Sequence, residues 1–361
     1  MSPRAILIMA GGTGGHIFPA LAVADCLHEQ GVSLWWLGTL QGLESKIVPQ
    51  AGYRLFTITI TGIRGKGLSR QLLAPVRVVW ALGQSLWVLL RYRPAAVLGM
   101  GGFVSGPGGI AAWLLRIPLL IHEQNAILGA TNRLLARFAS RVMEAFPGTF
   151  SVVHKPVHTG NPVRREIMHI PPPHIRLAER LNQPLRLLVL GGSQGAEILN
   201  QLVPRAVAQV QTPAPLSIWH QSGRGREEAT RRRYAELTIG ARVEPFIEDM
   251  AAAYSWADLV VCRAGALTLA ELTAAGLASI LVPYPSAVDD HQTANARYLA
   301  AAGAAILMPQ SECGAERLAA VLTELQAAPS RLLRMSEHAR NLACTEATQE
   351  VARICREMAH V

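Results

Sequence analysis

His16 closes a turn in which four of five positions are glycine: Gly11, Gly12, Gly14 and Gly15, with Thr13 between them. Without Cβ atoms such a turn lets a phosphate or a sugar approach the backbone. His16 is its one titratable side chain. An imidazole titrates near neutral pH and can take a proton from a hydroxyl. The alternative is a tight turn with a solvated histidine, and the turn alone does not choose between the two.

Gly191-Gly192-Ser193-Gln194-Gly195 repeats the pattern, with Ser193 where the first turn has Thr13. The same five residues match G-x-S-x-G, the nucleophile elbow of α/β-hydrolases. Asp289-Asp290-His291 follow in the order that a Ser–acid–His triad requires. A serine hydrolase using Ser193 is therefore a second reading. Two features weigh against it. The turn recurs near the N-terminus with threonine, which suits anion cradling at both places. The second domain also begins at this strand, whereas a hydrolase nucleophile strand is preceded by several others. A third reading, a sugar-nucleotide-binding module without catalysis, needs only one of the two sets of polar loops.

Arg263-Ala264-Gly265-Ala266-Leu267-Thr268-Leu269-Ala270-Glu271 follows an apolar run and reads as a turn entering a helix. A helix N-terminus presents free N–H groups to a diphosphate. Glu271, about one turn in, can accept two hydrogen bonds from a ribose diol; the plain alternative is a glutamate favouring an early helical position. His122-Glu123-Gln124-Asn125 lacks the second histidine of a zinc-protease helix. Neither glycine turn is G-x-G-x-x-G or a P-loop. No acidic residue follows Leu37-Gly38-Thr39 where a nicotinamide dinucleotide's ribose would need it. His154 and His158 flank Pro156 with no adjacent carboxylate or cysteine, so they read as loop histidines.

The elements that must position these groups alternate. Strands are predicted at 5–10, 33–37, 55–60, 95–99, 118–121 and 141–145. Helices are predicted at about 19–30, with Pro19 at its start, then 42–50, 71–91, 106–115 and 129–138. Such alternation implies an α/β fold with a parallel sheet covered on both faces, and ligand-binding loops at the strands' carboxyl ends. Prolines crowd 146–185, marking a linker or domain boundary. The design then restarts with strands at 185–190, 216–220, 242–246, 259–262 and 279–283. A last helix at about 343–358 is expected to pack back on the first domain.

The chain has 361 residues, half of them hydrophobic, a formal charge of +9 and a pI of about 9.8. The length allows two domains. The charge favours anionic partners, and the absence of aromatic-plus-basic or zinc-finger motifs ranks nucleic acid low. Five scattered cysteines without C-x-x-C argue against a disulfide framework. No signal peptide is visible. Val78–Leu90 is too short to span a bilayer, and Pro94–Leu115 is interrupted by Gly and Pro, reading as strand, loop and helix.

Seven motifs occur in order: Gly-Gly-Thr-Gly-Gly-His at 11–16, Gly-Met-Gly-Gly-Phe-Val-Ser-Gly-Pro-Gly-Gly at 99–109, His-Glu-Gln-Asn at 122–125, Gly-Asn-Pro-Val-Arg at 160–164, Gly-Gly-Ser-Gln-Gly-Ala at 191–196, Gly-Ala-Leu-Thr at 265–268 and Asp-His-Gln-Thr-Ala-Asn-Ala at 290–296. On these the chain closely resembles the MurG family of peptidoglycan N-acetylglucosaminyltransferases. The resemblance implies GT-B architecture: two Rossmann-like doubly wound parallel-sheet domains facing across a cleft, at 1–162 and 163–342, with the C-terminal helix at about 343–361 returning to the first. It implies inverting transfer of GlcNAc from UDP-GlcNAc to the C4 hydroxyl of the muramoyl sugar of lipid I (undecaprenyl-diphospho-MurNAc-pentapeptide), giving lipid II, with no cofactor and no metal. Carried over residue by residue, Thr13, Gly14, Gly15, Asn125, Arg164, Ser193, Ile247, Ala266, Leu267, Thr268, Leu269, Ala270, Glu271 and Gln292 would contact the donor. Ser193 and the helix after Gly265 would hold the diphosphate, Ile247 would present backbone to uracil, and His16 would be the general base. Phe103 and Ala264 depart from the family, where Tyr and Ser are common; each removes one possible hydroxyl and no charge.

The lipid-linked acceptor that the resemblance implies would place the protein at the cytoplasmic face of the cell membrane, as a peripheral protein. Residues 64–93 offer what such docking requires. Leu72, Leu73, Val76, Val79, Trp80, Leu86, Trp87 and Leu90 lie in one helical stretch, about half of them expected to face out. Arg64, Lys66, Arg70, Arg77, Arg91 and Arg93 flank or punctuate it.

Overall fold

Residues 5–60, 74–178, 180, 183–192, 195–211 and 215–361 are described by the computed structural model. The chain divides into two units, Met1–Val163 with Cys344–Val361, and Arg164–Ala343.

In the first unit the strands are β1 (Ile6–Met9), β2 (Leu34–Gly38), β3 (Arg54–Thr57), β4 (Ala96–Gly99), β5 (Leu119–Glu123), β6 (Arg141–Glu144) and β7 (Val157–His158). They form a parallel sheet in the order β3-β2-β1-β4-β5-β6-β7. The described connecting helices are α1 (Gly14–Glu29), α2 (Glu44–Gln50), α3 (Ala74–Tyr92), α4 (Ser105–Leu114) and α5 (Ala130–Leu135). β1 is a continuous apolar run because both of its faces are covered. Ile6 and Ile8 pack with Ile17, Ala20, Val23 and Leu27 of α1. Leu7 and Met9, on the other face, pack with Val88 and Leu89 of α3, Ala111 and Ala112 of α4, and Leu135 of α5. Each such fully buried large side chain contributes about 1.5–3 kcal/mol.

The second unit holds α6 (Arg165–Met168), α7 (Pro173–Ala178), β8 (Arg186–Leu190), α8 (Glu197–Val207), β9 (Ser217–Gln221), α9 (Glu227–Glu236), β10 (Arg242–Glu244), α10 (Met250–Trp256), β11 (Leu259–Cys262), α11 (Ala266–Ala275), β12 (Ala278–Leu281), α12 (His291–Ala301), β13 (Ala305–Leu307), α13 (Ala315–Ala327) and α14 (Pro329–Asn341). Its sheet is also parallel, in the order β10-β9-β8-β11-β12-β13. Leu187 and Val189 of β8 share a core with Leu199 and Val203 of α8, Leu318 and Leu322 of α13, and Leu332 and Met335 of α14. The last helix, α15 (Ala347–Ala359), belongs to the first unit: Val351, Ala352, Ile354 and Cys355 join the core of β1 and α1.

Both sheets wind one way through three strands and then reverse. The switch points fall between β1 and β4 and between β8 and β11. There the loops leaving adjacent strands part to opposite sides and leave room for a ligand.

Two expectations need correction. Helix α1 begins at Gly14, not at Pro19, which lies inside it. The first turn is set by the Thr13 carbonyl, which accepts the N–H of His16 at 3.1 Å and of Ile17 at 3.2 Å; Pro19 merely omits one later amide donor. The proline-rich stretch is also more than a linker. Pro173 opens α7, and buried Arg176 on that helix donates to the carbonyls of Ala275 and Gly276 at 2.9 and 2.8 Å. That caps the end of α11 and packs the segment into the second unit.

Candidate active site

The first group of candidate residues lies at the β1/β4 switch point. Thr13 is the extended residue before α1, so Gly14, Gly15 and His16 form that helix's first turn. Its side chain caps no backbone N–H; Thr13 Oγ1 lies 3.2 Å from His16 Nδ1 instead. The turn after β4 rests directly on this one. Gly102 has φ +82°, and a Cβ there would meet the Gly11 carbonyl oxygen at 2.3 Å. We expect Gly102→Ala to lose at least the roughly 1–2 kcal/mol that a left-handed alanine costs, since a backbone oxygen cannot step aside. Urea unfolding would show it, and an unchanged midpoint would contradict this packing.

Glu44, fully buried at the start of α2, was not singled out by sequence reasoning. Its Oε2 accepts the Gly12 N–H at 3.0 Å, and its Oε1 accepts the Thr39 N–H and O–H at 2.9 and 2.8 Å. It ties the glycine turn to the end of β2. The signal was present but unread. Gly11, Gly38 and Gly42 surround the side chain so closely that a Cβ on Gly11 or Gly42 would overlap the carboxylate and one on Gly38 would overlap Glu44 Cγ.

Asn125 follows β5, and buried Glu123 shapes its loop. Glu123 Oε1 accepts from the Asn125 backbone N–H and Nδ2 at 3.1 and 3.3 Å; Oε2 accepts from the Gly129 N–H and Asn132 Nδ2 at 3.1 and 2.9 Å. His122 beside it is fully buried. Burial pushes its imidazole down to about 4, so it is neutral at physiological pH. Phe103, in the turn after β4, is half exposed and presents a ring face where a tyrosine would add a hydroxyl.

The second group surrounds the β8/β11 switch point. Gly265 precedes α11 in an extended conformation, so Ala266, Leu267 and Thr268 are the first turn, with the free N–H groups of a helix start. Leu269 turns its side chain into the core, while Ala270 is half-buried. Glu271 is buried, and both of its oxygens are engaged: Oε1 accepts from Arg164 Nη2 at 2.8 Å and Oε2 from the Tyr254 hydroxyl at 2.9 Å. Each oxygen keeps a second lone pair for a further donor. Burial pushes the Glu271 carboxyl above its ordinary value, and the Arg164 guanidinium opposes that rise. Sequence reasoning named Arg164 and Glu271 separately and missed both their pairing and Tyr254.

Ile247 is buried just after β10. Gln292 lies in the first turn of α12, its Oε1 accepting the Tyr284 N–H at 2.9 Å. Asn295, one turn on, donates to the carbonyl of fully buried Ala264 at 3.2 Å and so ties α12 to the β11–α11 turn. Asp289 and Asp290 are both left-handed and kink the chain into α12. Ser193 lies outside the described residues. Nearby Gly195 rests against the Ser222 carbonyl, which is held by side chains that sequence reasoning passed over. Buried His220 lies 3.0 Å from Asn200 Oδ1, and Asn200 Nδ2 donates to the Ser222 carbonyl at 2.9 Å. A Cβ on Gly195 would strike that same carbonyl at 2.1 Å.

Two parallel, doubly wound sheets with glycine-rich turns at their switch points match the GT-B fold of glycosyltransferases. Residues 6–144 match the glycosyltransferase family 28 N-terminal domain, and residues 186–354 match the family 28 C-terminal domain. The chain is 56% identical over 354 residues, 98% of each protein, to the UDP-N-acetylglucosamine–N-acetylmuramyl-(pentapeptide) pyrophosphoryl-undecaprenol N-acetylglucosamine transferase of Nitrosococcus oceani. It is 54% identical to the protein of the same name from Stutzerimonas stutzeri over 355 residues, 98% of this chain and 99% of that one. The crystal structure of Acinetobacter baumannii MurG superposes with a TM-score of 0.86 at 43% identity, covering 98% of this chain and all of that one. The chain belongs to glycosyltransferase family 28 and, within it, to the MurG family.

Proposed function

We propose that this enzyme transfers GlcNAc from UDP-GlcNAc to the C4 hydroxyl of the muramoyl sugar of lipid I, with inversion at the anomeric carbon. The observation that carries the reading is His16, partnered by Thr13 in the first turn after a glycine-rich switch-point loop. Near-full-length identity to enzymes named for this transfer supports it. The acceptor hydroxyl gives its proton to His16, its oxygen attacks C1 of GlcNAc, and the C1–oxygen bond to the diphosphate breaks with its electron pair leaving on UDP. The N-terminus of α11 and Ser193 hold the diphosphate, Glu271 takes the ribose hydroxyls, Ile247 offers its backbone to uracil, and Thr13, Gly14, Gly15, Asn125, Arg164 and Gln292 complete donor contacts. The test is UDP release from UDP-GlcNAc with and without a lipid I analogue. Release that depends on the analogue and matches the glycosylated product supports transfer. Acceptor-independent release, or binding without release, contradicts it.

We further propose that α3 docks the enzyme on an anionic membrane surface at the cytoplasmic face. Among the described residues no helix is long and apolar enough to cross a membrane. On α3, Ala81, Val88 and Leu89 are buried, while Val76, Val79, Trp80, Trp87 and Leu90 are exposed. Leu86 is only partly buried and packs inward. Arg77, Arg91 and Arg93 are exposed along and just beyond the same helix. Arg64, Lys66, Arg70, Leu72 and Leu73 lie outside the described residues. Each cation near an anionic leaflet contributes about 1 kcal/mol. Reversing Arg77, Arg91 and Arg93 to glutamate is expected to weaken binding to phosphatidylglycerol vesicles while activity on a soluble, short-chain lipid I analogue survives. Binding that is indifferent to the reversals, or equal on neutral lipid, would exclude this face.

A further inference from the structure

Gln124, in the turn after β5, is 2% exposed, and histidine chemistry fixes which way its amide points. His122 Nε2 lies 2.9 Å from the Gly160 carbonyl oxygen, which can only accept. The one ring proton of this neutral histidine is therefore on Nε2, and Nδ1 is a lone pair. The Gln124 amide nitrogen lies 3.1 Å from that lone pair and 3.2 Å from the His122 carbonyl oxygen. Both are acceptors, so both hydrogens of the amide are used there. The Gln124 backbone is held as well, its carbonyl accepting from Asn161 Nδ2 at 2.9 Å. What remains is Gln124 Oε1, buried and without a partner. A carbonyl oxygen stripped of water and left unpaired costs free energy, which a native fold retains where the atom has a use.

Its neighbour is the imidazole of His16. The position a Cβ on Gly101 would take is 3.4 Å from Gln124 Oε1, 3.0 Å from His16 Nε2 and 2.7 Å from His16 Cδ2. The amide oxygen and the Nε2 edge of the ring thus border one spot, which glycine leaves empty. The other ring nitrogen, Nδ1, lies on the exposed side beside the Thr13 hydroxyl.

We propose that Gln124 is a positioning residue for His16: its amide oxygen accepts the Nε2 proton of the imidazole and leaves the Nδ1 lone pair for the acceptor hydroxyl. The inference rests on the reading of His16 as the base. When Nδ1 takes the proton, the ring becomes a cation with two N–H groups. Thr13 Oγ1 then takes one of those N–H groups and Gln124 Oε1 the other, so the new charge is shared between two acceptors. A neutral amide does this without holding the imidazole protonated at rest, as a carboxylate would.

The experiment uses the full-length protein labelled with 15N-histidine, the His16 signals being assigned by their loss in His16→Ala. The wild type is expected to show a proton on His16 Nε2 that exchanges slowly with water. Gln124→Met is expected to lose that protection and to lower kcat at least about tenfold, with little change in KM for UDP-GlcNAc. A wild-type His16 with no protected Nε2 proton, in a protein that His16→Ala inactivates, would overturn this inference alone, whether or not the methionine variant folds. A folded Gln124→Met with wild-type kcat would do the same. Full turnover in His16→Ala would overturn the base assignment, and this inference with it.

Discussion

His16→Ala is expected to lower turnover by about 10²–10⁴-fold, the range of a general base, while donor affinity changes far less. The variant isolates the imidazole well. The backbone N–H of His16 still reaches the Thr13 carbonyl, so the first turn of α1 persists. The Thr13 hydroxyl loses its Nδ1 neighbour but is exposed and can turn to water. The acidic limb of the pH–rate profile should shift or vanish with the side chain, because loss of activity at low pH reports protonation of the base. A variant that keeps both turnover and the same acidic limb would reduce His16 to a residue that shapes the turn.

Glu271→Ala is expected to act twice. Donor binding loses a charged acceptor, which costs roughly 1.5–3 kcal/mol and appears as a raised KM for UDP-GlcNAc. The fold also loses the common partner of Arg164 and Tyr254. Arg164 is partly exposed and can turn to solvent. The Tyr254 hydroxyl is fully buried, and an orphaned buried donor costs about 1–3 kcal/mol. Glu271→Gln keeps an acceptor for one partner and should fall between wild type and alanine on both measures. An unchanged KM in the alanine variant would remove the ribose role. An unchanged urea midpoint would remove the structural one. The pH dependence has a definite sign. The folded carboxyl titrates above its unfolded value, so between those two values the native state holds more proton than the unfolded chain. Its contribution to stability therefore falls as pH rises through that window, and protonation of Glu271 does not drive acid unfolding.

Much of the fold could be read from apolar runs. Those at 5–10, 95–99, 185–190 and 259–262 contain β1, β4, β8 and β11, the four strands at the two switch points. β7 and β13 escaped notice because two or three residues are too few to show a period. The start of α1 was misplaced because Gly14 and Gly15 have poor helix propensity, and the bonds to the Thr13 carbonyl override it. The candidate site was legible where its residues are contiguous, as in the two glycine turns and the α11 start. It was illegible where partners are far apart in sequence. Arg164 and Glu271, Gln124 and Gly101, and Glu44 and Gly12 meet only once the strands are ordered. Burial then does what spacing cannot announce. It neutralises His122, raises the Glu271 carboxyl and leaves one amide oxygen of Gln124 unpaired.

The proposed mechanism is a single displacement in which His16 deprotonates the acceptor hydroxyl. Its most direct test is the structure of the product, isolated after reaction of UDP-GlcNAc with a lipid I analogue and examined by proton NMR for anomeric configuration and site of attachment. A β-linked GlcNAc on C4 of the muramoyl sugar is the result predicted. The donor being α-linked, an α-linked product would mean retention, which a single back-side displacement cannot give, and free GlcNAc would mean water is the acceptor; either would contradict the mechanism.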